Sequence, residues 1–100
     1  MNRGFAGRIS LWHKTHEQIC GELKEAKRKI KIGADYVHYK SSSRVYRVID
    51  IGTIEASDEL CVIYQLQDGS GLIFVRPLKE WLETVDWQGK PVQRFKPVKD

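Results

Sequence analysis

The residues with chemistry to offer are aromatic and basic, and they recur at short intervals from residue 36 onward. "YVHYK" (36–40) holds Tyr36, His38, Tyr39 and Lys40, and "VYRV" (45–48) adds Tyr46 and Arg47. "VRPL" (75–78) holds Arg76, and "QRF" (93–95) holds Arg94. An arginine fork grips a phosphate or carboxylate through paired donors. A ring beside a guanidinium suits stacking on a base or nucleotide, or a peptide held by stacking and hydrogen bonds. In an extended segment, side chains alternate, so Tyr36 and His38 share one face and Val37 and Tyr39 the other. If the Tyr36/His38 face is outward, it joins Arg47 or Tyr46 on the adjacent strand as a flat aromatic and basic surface. If it is inward, the rings are core with wet hydroxyls, which is how Tyr39 and Tyr46 are read. Arg76 either binds an anion or pairs with Glu80 or Glu83, the commoner use, and Arg94 carries the same two readings. The candidate ligand-binding residues are therefore Tyr36, His38, Arg47, Arg76 and Arg94.

Other chemistries have less behind them. His13, His16 and Cys20 fall at spacings of three and four and could line one helical stripe. A structural zinc site wants four ligands, and only the distant His38 and Cys61 remain to complete it, so no metal is expected. Catalysis needs a nucleophile with a base, paired carboxylates or a metal. GxSxG, GxxxxGK and HExxH are all missing, and "GSG" (69–71) reads as a turn. The expectation is a non-enzyme without cofactor.

The elements that must position these residues fall into two parts of one compact domain. Residues 1–33 form a basic helical segment, in which Ile19, Leu23, Ala26 and Ile30 recur as a single apolar stripe. Thr15 and Gln18 fit a capping box, and Gly33 sits where a left-handed C-terminal cap would. Glu25 and Lys29 are spaced to pair. Leu11 and Trp12 could staple the helix to the body, or begin a longer helix from Ser10. This segment carries eight Lys/Arg against three Glu, a net +5, while residues 34–100 carry nine against ten, a net −1. Residues 34–100 read as short strands: 35–40, 44–54 after a "KSSSR" turn, 60–67, and 72–77 after the "DGSG" hairpin. Pro77 cannot continue a central ladder. "LKEWLETV" supplies a short helical turn, and "DWQGKPVQRF" a last hairpin. The fold class is α+β, mainly β: a small bent antiparallel sheet or SH3-like barrel preceded by an N-terminal amphipathic helix that covers it.

The ordered set "YVHYK", "VYRV", "CVIY" (61–64), "VRPL", "WLETV" (81–85) and "GKPVQRF" (89–95) resembles the bacterial domain of unknown function 1653. The resemblance covers roughly residues 34–96 and leaves the helix outside it. It implies a small β-rich module with an aromatic wall, with Phe74 standing where that family usually has Trp. It implies no established activity.

The function expected from these residues is a non-catalytic binding module for an anionic ligand, a nucleotide-like small molecule or nucleic acid. Lys24, Lys27, Arg28 and Lys31 would add long-range attraction. One alternative is a homo-oligomeric interaction adaptor built on the helix stripe. Another is a phage-type protein that sequesters a host nucleotide signal. The N-terminus has no long apolar run, so neither a secretory signal nor a membrane partner is expected. Cys20 and Cys61 suit free thiols of a cytoplasmic protein, with a disulfide between them as the alternative.

Overall fold

The computed structural model describes residues 13–98. Helix α1 (His16–Lys29) begins as its sequence requires: the Thr15 hydroxyl accepts from the Gln18 N–H at 3.0 Å. Gln18 Oε1 accepts in return from the Thr15 N–H at 2.8 Å, closing the capping box. Thr15→Ala should therefore cost about 1 kcal/mol, read as a lower midpoint in urea unfolding with the folded-state CD spectrum unchanged. The apolar stripe turns inward within its own chain. Ala26 and Ile30 are buried in the core, and Ile19 and Leu23 pack against it. The staple expected from Leu11 and Trp12, and the earlier start at Ser10, lie outside the described residues.

Two helix details differ from expectation. Glu25 pairs with Arg28, three residues on, rather than with Lys29, because the Arg28 fork reaches both carboxylate oxygens. Gly33 is not the cap: Ile30 ends the helix in an extended conformation. Gly33 instead takes φ +89° in the turn that Ala34 N–H closes on the Lys31 carbonyl, and its own N–H donates to Val48.

Seven strands follow among the described residues. β1 (Asp35–His38), β2 (Ser41–Ile54), β3 (Glu59–Leu66), β4 (Ile73–Pro77) and β7 (Phe95–Pro97) form one antiparallel sheet in the order β4-β3-β2-β1-β7. α2 (Leu78–Trp81) and the separate hairpin β5 (Thr84–Trp87) with β6 (Lys90–Gln93) lie between β4 and β7. The sheet is strongly bent, with bulge-type register shifts after Val37 and after Val48. Among the described residues no ladder joins β4 to β7, so the architecture is the bent sheet rather than a closed barrel. The core of Val48, Ile51, Leu60, Val62, Tyr64, Trp81 and Phe95 lies in the hollow of the bend, covered by α1 and α2.

The "KSSSR" turn is corrected. Chain reversal occurs at Tyr39–Lys40, and Ser41–Ser43 already belong to β2. β7 was not anticipated at all. Its partner β1 lies some 60 residues earlier in the chain, too far for any local pattern to announce.

Candidate functional site

Strand parity decides which candidates can meet. Tyr36 lies opposite Tyr46, and Asp35 opposite Arg47. The hollow face therefore takes Tyr36, His38 and Tyr46, and Arg47 goes to the other face, where Nε reaches Asp35 Oδ1 at 2.8 Å. Arg47 thus leaves the candidate site. The outward reading of Tyr36 also fails, since only 6% of it is exposed. Its ring meets Trp81 edge-on, and its hydroxyl accepts from the Lys31 N–H at 3.2 Å.

His38, Tyr46, Tyr64, Phe74, Arg76 and Phe95 line a groove of about 220 Å³ at the open side of the hollow. The pairing Tyr64–Phe74 brings β3 and β4 rings side by side at 5.7 Å, and Tyr46 stands edge-on to both. Phe95, delivered by β7, meets Tyr64 at 5.4 Å and His38 at 5.1 Å. Arg76 holds its guanidinium 5.8 Å from the Phe95 ring centroid and gives Nη1 to Glu80 at 3.2 Å. Its Nε is buried without a partner, and among the described residues Nη2 makes no hydrogen bond either. One cation already facing a ring disfavours a second and favours an anion.

Arg94 has a different occupation. Nε donates to the Glu80 carbonyl at 3.0 Å and Nη2 to Glu83 at 2.7 Å, while its backbone carbonyl accepts from Tyr39. It clamps α2 and the residues after it to the end of β1, and reaches the groove only through its field. That field is visible at His38. Burial first, then the charges of Arg76, Arg94 and Lys40, hold its imidazole below the ordinary histidine value. His38 is thus neutral at pH 7, with Nδ1 accepting from the Lys40 N–H at 3.2 Å.

Sequence reasoning assigned Tyr46 to packing, named Phe74 only as part of the aromatic wall that the resemblance implies, and did not single out Tyr64 or Phe95. Tyr64 and Phe74 were within reach: five residues on each side of Gly69, they face one another once the "DGSG" hairpin is in register. Elsewhere, among the described residues, no three His, Cys, Asp or Glu side chains gather to hold a metal. His16 and Cys20 are exposed, and Cys61 is buried as a free thiol. No helix among the described residues is long and apolar enough to cross a membrane.

The sequence profile of a protein family of unknown function, DUF1653, matches residues 34–97, nearly two thirds of the chain. This chain belongs to the DUF1653 family. A crystal structure of a DUF1653 protein from Bordetella bronchiseptica is similar over 71% of this chain and 90% of that one, at 32% identity and a TM-score of 0.60. No curated protein matches. The DUF1653 region starts at Ala34 and so contains the whole groove. α1 lies outside it.

Ahead of α1, the Asp58 carboxylate accepts from His13 Nδ1 at 2.7 Å and from the Lys14 N–H at 2.9 Å. It ties the helix entrance to the β2–β3 turn. The His13 bond first, then the Lys14 amide, hold Asp58 below the usual carboxylate range. A depressed carboxylate contributes stability above its unfolded value and loses it as pH falls through the folded one. Asp58→Asn, which tolerates the observed φ of 60°, should flatten that loss as the pH falls below about 4. Thermal midpoints across that range check it.

Proposed function

We propose that this DUF1653 domain is a non-catalytic module that binds a small anionic ligand with a planar ring, of the nucleotide class. The observation that carries the reading is the coincidence, in one groove, of four aromatic rings with an arginine that has donors left over. A ring slotted beside Tyr46, Tyr64 and Phe74 would gain stacking of about 1–3 kcal/mol. Nη2 of Arg76, which makes no hydrogen bond among the described residues, would meet the anion. Glu80 and Glu83 pair with Arg76 and Arg94, so the attraction is short-ranged rather than a broad basic field. That favours a single small ligand over a length of nucleic acid. A seam on the α1 stripe has less support, because Ala26 and Ile30 are buried against the chain's own sheet.

Titration with adenosine 5′-monophosphate, followed by two-dimensional NMR, tests the proposal. Shifts should concentrate at His38, Tyr46, Tyr64, Phe74 and Arg76, and inorganic phosphate alone should bind more weakly. Affinity should rise as pH falls through the lowered His38 value, because protonation adds a charge facing the anion. His38→Gln should remove that part of the pH dependence. Saturable shifts centred on the α1 surface, or none at all, would sink the reading.

A further inference from the structure

β4 is an edge strand, and the residues along it are apolar and open to solvent: Leu72, Ile73, Phe74 and Val75 are 53, 55, 37 and 60% exposed. Edges are ordinarily blunted by lysine, proline, a bulge or a covering element. This one has no charge between Asp68 and Arg76, and its proline comes only at the end. Among the described residues no strand pairs with its outer side.

The backbone sharpens the point. Leu66 N–H donates to the Leu72 carbonyl at 3.1 Å, so that pair occupies a hydrogen-bonded position of the antiparallel ladder. Such positions alternate. Tyr64–Phe74 and Val62–Arg76 are then the bonded pairs, and Ile73 and Val75 aim their N–H and C=O groups away from β3. The unpaired backbone groups and the most exposed side chains belong to the same two residues.

We propose that a second copy of this chain adds to the edge, β4 against β4, about a two-fold axis at Phe74. The segment is self-complementary about that residue. Ile73 faces Val75 of the second copy, Val75 faces its Ile73, and each donor on these residues finds an acceptor. On the hollow side the two Phe74 rings meet, extending the wall of both grooves. The two Arg76 side chains stay about 14 Å apart along the strands, beyond a Debye length of about 8 Å, so like charges do not oppose the pairing. An edge of five residues buries less than the roughly 1,000 Å² expected of a specific, stable complex, so the contact is a weak, transient one. The dimer therefore dissociates on dilution. It is independent of whether the groove holds a ligand.

Sedimentation velocity of the full chain over a dilution series tests this, beside Val75→Lys. The wild type should pass from dimer to monomer. Val75→Lys should raise the dissociation constant at least tenfold with an unchanged CD spectrum. The register has its own test in a Cys20→Ser background with oxidised glutathione. Phe74→Cys places its thiol opposite itself at a non-bonded position, where the backbones approach closely enough for a disulfide, and should cross-link. Ile73→Cys or Val75→Cys alone should not. A wild type monomeric at every concentration overturns the proposal. So does a dimer indifferent to Val75→Lys, or cross-linking at 73 or 75 in preference to 74.

Discussion

Trp81→Ala is expected to remove most of the stability of this domain. Trp81 lies in a helix of only four residues, yet it is 3% exposed. Its ring stacks on Phe95 at 3.7 Å with planes 7° apart, and it meets Tyr36 and Tyr64 edge-on at 5.3 and 4.9 Å. Those three rings come from β7, β1 and β3, so one side chain joins both sides of the bent sheet. Removing a buried tryptophan costs about 3–5 kcal/mol, transfer and cavity together. Small domains hold a net stability near the lower end of about 5–15 kcal/mol. The variant should thus be largely unfolded, or unfold at much lower urea. Trp87, 38% exposed in the β5–β6 hairpin and edge-on to Tyr39 at 5.2 Å, supplies the contrast: Trp87→Ala should cost clearly less, about 1–2 kcal/mol. Equal losses at the two sites would mean that the Trp81–Phe95 stack is not the keystone described.

The second large effect is on binding. Arg76→Met should leave the fold intact and weaken adenosine 5′-monophosphate at least tenfold. Methionine keeps an unbranched stem in the space before Phe95 and removes the buried orphan donor, whose lack of a partner is itself unfavourable. The variant also loses the ion pair with Glu80, a half-exposed carboxylate, a contact of roughly 0–1 kcal/mol. Stability should therefore stay within about 1 kcal/mol of wild type. If Arg76→Met unfolds the chain, the arginine is a strut between β4 and α2, and the groove loses its anion contact. If it folds and binds normally, the ligand sits elsewhere. Urea unfolding and the NMR titration, run on the same sample, separate the three results.

Much of the fold could be read from short-range signals because those signals are local physics. The capping box at Thr15 and Gln18 involves neighbours three residues apart, and both its bonds are present. "DGSG" turned where its glycines allow positive φ, and "QG" closed the last hairpin with φ of 55° and 82° at Gln88 and Gly89. Pro77 did end an edge strand. The misplaced turn at 41–43 shows the limit of this. Three serines look like a loop by composition, but pairing of β1 with β2 put the reversal at Tyr39–Lys40.

The candidate site was legible in part, for a reason that parity makes plain. Tyr36, His38, Arg47, Arg76 and Arg94 were chosen as aromatic or basic residues on strands, and residue type alone does not state a face. The bond to Asp35 settled Arg47, the core settled Tyr36, and the clamp on Glu80 and Glu83 settled Arg94. His38 and Arg76 met because the sheet bends far enough for β7 to set Phe95 between them. By itself the sequence determined most of the elements and their order, β7 excepted, since these rest on periodicity, caps and turn chemistry within a few residues, and its ordered motifs carried the resemblance to the family. Tertiary structure alone decided which rings share a groove and which arginine keeps a donor without a partner among the described residues. Those depend on strand parity and on the β1–β7 pairing, contacts whose partners no local pattern names.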